Sequence, residues 1–156
     1  MILLDTSGLL AAIDGSQRQH AATLQALRTA EPPLLLSPFV LAELDYLLAN
    51  RVGSQAEIAL LDEVAEGAYQ LEPFDRDDVA SAIDVLKQYE DIQLGLADAS
   101  IAVLAKRHSI ATVLTLDERH FRVLRTDAGQ HFTILPADAP HTRRSRRHPI
   151  GRARGS

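Results

Sequence analysis

The stretch Met1–Gly8, MILLDTSG, decides how the chain is read. Met1 to Leu4 are apolar without alternation, the pattern of a strand buried on both faces of a parallel sheet. Asp5 falls where that strand stops. In open parallel sheets, ligands bind outside the carboxyl ends of the strands. The chain therefore opens by delivering an acid to the edge where such folds keep their chemistry. Asp5 has a plainer use as well, as the cap of the helix that follows. The rest of the sequence must decide between the two.

The chain has 156 residues, enough for one domain with a substantial core. Hydrophobic residues make up 46%, the composition of an ordinary globular protein. There is no Cys, which excludes disulfides, thiolate nucleophiles and thiolate metal sites. The lack of Cys fits a reducing compartment. The first strand begins at residue 1, so no leader is expected ahead of it. No apolar run approaches the ~20 residues needed to cross a bilayer. A cytoplasmic protein without membrane contact is the expectation.

The net charge of −5 hides a division. All 21 acids lie at or before position 138, whereas six of the 16 Lys and Arg lie after position 140. The first 140 residues thus hold ten cations against 21 acids, a net charge of −11. A body so acidic binds a polyanion only if cations intervene. From Pro140 on, HTRRSRRHPIGRARGS is poor in apolar residues and dense in Arg. Residues 137–156 are set apart as a disordered tail. It is either a non-specific phosphate-binding arm or a solvated and dispensable extension.

Between these ends, short apolar runs alternate with helical periodicity. Ser7 to Asp14 reads as a short helix with Leu9, Leu10 and Ile13 inward. Ser16 and Gln19 have the spacing of a capping box for a helix over about 17–30 that buries Ala21, Leu24 and Leu27. Leu34–Leu36 reads as a second strand, and Ser37-Pro38 as the cap and first residue of a helix running to about Asn50. Ser54 and Glu57 repeat the capping-box spacing for a helix to Gly67. A third strand is predicted over 68–74 and an amphipathic helix over 75–90, with Val79, Ile83, Leu86 and Tyr89 buried. A helix over 96–108, a strand over 111–116 and a last strand over 132–135 complete the chain. The alternation predicts an α/β fold, a three-layer α/β/α arrangement around a parallel sheet.

Four acids fall at the functional edges of this plan. Asp5 ends the first strand and Asp117, in TLDERHF, ends the fourth. Asp98, in GLADAS, opens a helix, where the macrodipole favours a carboxylate. Glu43, in VLAELDYLL, borders the buried stripe of its helix, a costly place for an unpaired charge. Each has an ordinary explanation: a first-turn acid at Asp98, a turn at Asp117, an ion pair with Arg51 at Glu43. Together they bring carboxylates from four elements toward one rim. Carboxylates in one cleft raise each other's pKa, and a hard divalent cation relieves the repulsion. Oxygen-only ligands suit Mg²⁺ or Mn²⁺ rather than zinc. His120, three residues after Asp117, is read as a surface residue.

DTS after the first strand, the AELDYL helix, GLADAS and TLDERHF, in that order, resemble the PIN domain, and more closely the VapC toxins of bacterial toxin–antitoxin pairs. The resemblance covers residues 1–136. It implies a Mg²⁺-dependent endoribonuclease, Mn²⁺ substituting, that cuts structured RNA such as tRNA or ribosomal RNA. It further implies that Asp5, Glu43, Asp98 and Asp117 form the catalytic, metal-binding quartet. Thr6 and Thr115 would position water or phosphate. A homodimer and a cognate VapB-like antitoxin, laid across the groove with a basic side chain toward the acids, complete what it implies. Two other readings stand beside it. One is a phosphatase using Asp5 as nucleophile, although such sites want a second acid where Ser7 stands. The other is a non-catalytic scaffold of the same fold that binds RNA or protein. A dinucleotide site is weaker, because no Gly-x-Gly-x-x-Gly loop follows the first strand.

Overall fold

The computed structural model describes residues 1–140, and the Arg-rich segment 141–156 lies outside the described residues. Strands β1 (Ile2–Leu4), β2 (Leu34–Leu36), β3 (Gln70–Leu71), β4 (Thr112–Leu114) and β5 (Thr133–Leu135) form one parallel sheet in the order β3-β2-β1-β4-β5. The apolar run at the start of the chain takes the central position. Leu3 lies beside Leu35 and Val113, and Leu4 beside Leu36 and Leu114. With neighbours on both edges and helices over both faces, Ile2, Leu3 and Leu4 are fully buried, which is why the run shows no polar alternation.

The chain moves outward from β1 through β2 to β3, then returns to the other side of β1 as β4. The order of connection therefore reverses between β1 and β4. Parallel crossovers are right-handed, so crossovers running in opposite directions place their helices on opposite faces. The reversal opens a crevice at the carboxyl ends of β1 and β4, the usual ligand site of open α/β sheets.

Among the described residues, seven α-helices carry the connections: α1 (Thr6–Ile13), α2 (His20–Thr29), α3 (Pro38–Arg51), α4 (Ser54–Ala65), α5 (Arg76–Gln88), α6 (Leu96–His108) and α7 (Glu118–Val123). Ser37 caps α3 by accepting from the Phe39 N–H at 3.2 Å, with Pro38 in the first turn. Asp75 caps α5, accepting from Asp77 and Asp78 N–H, while Asp78 reaches back to the Asp75 N–H. Gly8 lets α1 approach the sheet: a Cβ there would stand 2.4 Å from the Leu114 carbonyl oxygen. The absent side chain brings the start of α1 against the end of β4.

Several local expectations are corrected. The Ser16–Gln19 box does not form. Asp14 Oδ1 instead captures the Ser16 N–H and hydroxyl in a tight turn, and α2 begins only at His20. The buried residues of α2 are Thr23 and Ala26, and Ala21 is exposed. Helix α4 starts at Ser54 itself, after Gly53 at φ 134°, without a side-chain cap, and stops at Ala65. The third strand shrinks to two residues at the sheet edge, with Pro73, which lacks an N–H, just beyond it. On α5, Val79 and Ile83 are exposed. The contact with α6 runs instead through the small pair Ala82 and Ala99, flanked by Val85, Leu86 and Val103. Small residues let the two helices come close, and that rotates the larger ones outward.

Candidate active site

Asp5 follows β1 directly, and its own N–H continues the ladder to the Leu114 carbonyl at 3.0 Å. The side chain is buried, with 5% of its surface exposed. Burial of a carboxylate needs donors, and two hydroxyls supply them. Ser7 Oγ donates to Asp5 Oδ2 at 2.6 Å, and Thr115 Oγ1 donates to the same oxygen at 2.6 Å. Each hydroxyl has one proton, now used, so each turns its lone pairs to backbone donors. Ser7 Oγ accepts from the Leu116 N–H at 2.9 Å, and Thr115 Oγ1 from the Asp117 N–H at 2.9 Å. One carboxylate oxygen thus ties the end of β1 to the segment after β4. The other, Oδ1, takes no side-chain hydrogen bond among the described residues.

Asp98 is the third residue of α6, and its Oδ2 accepts from the Gly95 N–H at 3.1 Å. Asp117 caps α7, with Oδ1 accepting from the His120 N–H at 3.4 Å. It lies three residues beyond the end of β4, because the strand is shorter than its apolar run. Glu43 projects from the middle of α3. These four carboxylates, with Thr6 and Ser7, line one cavity of about 350 Å³, closed on the apolar side by Phe39 and Leu96. Thr115 lies fully buried behind Asp5.

The charges feel one another. Burial pushes the Asp98 carboxyl up, and Asp5 and Asp117 add to the rise against the Gly95 N–H and His120. Burial also pushes Glu43 up, with Asp5 and then Asp98 reinforcing it, and Thr6 pulling weakly back. Among the described residues, Glu43 forms no ion pair with Arg51. Thr6 Oγ1 is buried and, among the described residues, makes no well-formed hydrogen bond.

The donor set fits a hard divalent cation. It is made of oxygens, it repels itself, and it includes an Asp5 oxygen that takes no side-chain hydrogen bond among the described residues and a Thr6 hydroxyl turned toward Glu43 without a well-formed bond. Among the described residues, no three acidic or His side chains converge tightly enough to cage an ion unaided.

Two residues at this site were not legible as such in the sequence. Ser7 is a donor to Asp5, signalled only by its position two residues after it. His120 is buried at 6% exposure rather than on the surface. Its Nδ1 lies 3.1 Å from Asp117 Oδ2 and 3.3 Å from Asp98 Oδ2. The i, i+3 spacing from Asp117 puts both on one face of α7, but the neighbouring α6 is invisible to that count.

The sequence matches the PIN domain over residues 2–126. It is 43% identical over 135 residues to Ribonuclease VapC26 of Mycobacterium tuberculosis, covering 86% of this chain and all of that protein. In fold it is similar to the crystal structure of the Mycobacterium tuberculosis toxin VapC20, described as cleaving the sarcin–ricin loop. The TM-score is 0.72 at 21% identity, over 77% of this chain and 92% of that one. It is also similar to FitAcB from Neisseria gonorrhoeae, with a TM-score of 0.59 at 25% identity, over 78% of this chain and 91% of that one. The chain therefore belongs to the PIN-domain family, among its VapC ribonucleases. Among the described residues, no helix is long and apolar enough to cross a membrane.

Proposed function

We propose that this chain is the toxin of a VapBC-type pair, an endoribonuclease that hydrolyses phosphodiester bonds of structured RNA, tRNA or ribosomal RNA. The observation that carries the reading is the convergence of Asp5, Glu43, Asp98 and Asp117, from four separate elements, on one cavity. Asp5 and Asp98 are the direct ligands of Mg²⁺, for which Mn²⁺ substitutes, and Glu43 and Asp117 complete the site or hold its waters. When bound, the ion supplies an acidified water and neutralises charge on the phosphate. The chain does the rest. Ser7 and Thr115 fix Asp5 in one rotamer. The Thr6 hydroxyl is free to bond a water or a phosphate oxygen. Phe39 and Leu96 close the apolar side of the cleft.

The same charge pattern supports a VapB-like antitoxin partner. A basic side chain entering the cavity meets the carboxylates that otherwise receive the cation. A homodimer completes the assembly expected of the class. The phosphatase alternative is disfavoured, because a hydroxyl donor, Ser7, occupies the place where a second acid is needed.

Cleavage of total RNA by the full chain, with Mg²⁺, with Mn²⁺ and with chelator, tests the reading. Asp5→Asn and Asp98→Asn are expected to lose cleavage by about 100-fold or more, as is chelation of the metal. Unchanged cleavage by both variants would overturn the assignment. Mapping the cut ends identifies the RNA.

A further inference from the structure

His120 is a buried imidazole standing between two of the cavity's acids, and nothing in the reaction as described above uses it. Its two nitrogens face different partners. Nε2 lies 3.2 Å from Arg119 Nη2. A guanidinium donates and never accepts, so Nε2 must offer its lone pair. The ring proton is thereby assigned to Nδ1 from the partners of the ring. Nδ1 is the nitrogen placed 3.1 Å from Asp117 Oδ2 and 3.3 Å from Asp98 Oδ2. It forms no well-aligned hydrogen bond to either carboxylate. One N–H aimed between two acceptors is off-axis for both, which accounts for the misalignment.

We propose that His120 is a positioning residue whose Nδ1–H stands between the Asp98 and Asp117 carboxylates and holds them at the spacing that receives the divalent cation. A nitrogen that carries its proton has no lone pair for a metal, so the ring is not itself a ligand. Its partners sit on different elements, Asp98 on α6 and Asp117 at the start of α7. One N–H therefore sets the distance between two segments whose acids repel. Arg119, the neighbour in sequence, fixes the tautomer from the far side. Groups that orient metal ligands in this way change affinity by about 10–100-fold when removed. The inference rests on the metal-centre reading above.

The test is Mn²⁺ titration of the full chain by electron paramagnetic resonance, with His120→Asn, His120→Gln and Asp98→Asn. The Asn amide nitrogen falls near Nδ1, whereas that of Gln falls near Nε2. His120→Gln is expected to weaken Mn²⁺ binding by about 10–100-fold, and His120→Asn to stay within about threefold of wild type. Imidazole ¹⁵N shifts of the metal-free wild type are expected to show the Nδ1–H tautomer. Wild-type affinity in His120→Gln, equal losses in the two variants, or an Nε2–H tautomer would each overturn the positioning role while leaving the metal centre standing. A wild type that binds no Mn²⁺ would overturn the metal centre and this inference together.

Discussion

Thr115 donates its hydroxyl to Asp5 Oδ2 at 2.6 Å, across 110 residues of sequence and from the neighbouring strand end. The bond joins the two segments on either side of the crevice where the sheet reverses. Because Thr115 also accepts from the Asp117 N–H, one hydroxyl sets the position of two of the four acids. Thr115→Val keeps the shape and removes both bonds. The expected result is an RNA cleavage rate lower by about 10–100-fold, with a loss of stability of about 1–2 kcal/mol. Thr115→Ser, which keeps the hydroxyl, should restore most of the rate. Parallel cleavage assays and melting curves check both.

Gly8 is required by space rather than by backbone conformation. Its Cβ position lies 2.4 Å from a backbone carbonyl oxygen of β4, which has no free rotation to escape. Gly8→Ala should cost about 1–3 kcal/mol and displace the start of α1, where Thr6 and Ser7 lie. Gly15, with nothing within 4 Å of its Cβ position, is the control. Gly15→Ala should stay within about 0.5 kcal/mol of wild type. Urea midpoints separate the two.

Burial, with Asp5 and Asp117 nearby, holds the Asp98 carboxyl above its ordinary value of 3.8. Between that value and the raised one, the folded state binds more protons than the unfolded state, so stability falls as pH rises. Above the window the ionised group remains a destabilising charge. Asp98→Asn removes the charge and keeps an oxygen for the Gly95 N–H. The metal-free variant should therefore melt above wild type at pH 7, by roughly 2–4 °C for each kcal/mol regained. The difference should close below pH 3.8. Mn²⁺ should raise the melting temperature of wild type and not of the variant. A metal-free variant melting at or below wild type at pH 7 would refute the charge-repulsion account.

Glu72 behaves in the opposite sense, away from the cavity. Burial alone would push its carboxyl up. Hydrogen bonds from His108 at 2.6 Å, Gln70 at 2.6 Å and Arg107 at 3.1 Å outweigh that and hold it below 4.5. A depressed carboxyl stabilises the fold fully above pH 4.5, and the contribution is lost as pH falls through the folded-state value. Glu72→Gln should cost about 1–3 kcal/mol at pH 7, and its deficit should shrink in acid. Denaturation series at both pH values provide the comparison. The same cluster pins the end of α6 to the edge strand, so cleavage should change little when measured well below the melting temperature.

The elements were legible where their signals are local. An unbroken apolar run makes β1, Ser37-Pro38 makes the start of α3, and the 96–108 periodicity gives α6 to the residue. The signals that failed were local ones outbid by neighbours. Ser16 has the spacing of a cap, yet Asp14 is two residues away and takes its hydroxyl. Val79 and Ile83 have helical spacing, yet the close approach at Ala82 and Ala99 turns them to solvent. Asp5, Asp98 and Asp117 stand out in the sequence because each sits at the end of an element, and Glu43 because it interrupts an apolar helical stretch. Ser7 and His120 do not, because what they touch comes from elsewhere in the chain.

By itself, then, the sequence determined the α/β alternation, the parallel sheet and the four acids, since strand runs, helix caps and helix faces are written within a dozen residues. Only the tertiary structure decided that β1 lies between β2 and β4, that the crevice opens beside Asp5, and that Ser7 and Thr115 clamp one of its oxygens. Only it decided that His120 is buried between Asp98 and Asp117. Those relationships depend on which strand ends become neighbours, and that is settled by packing the whole core, not by any segment's own preference.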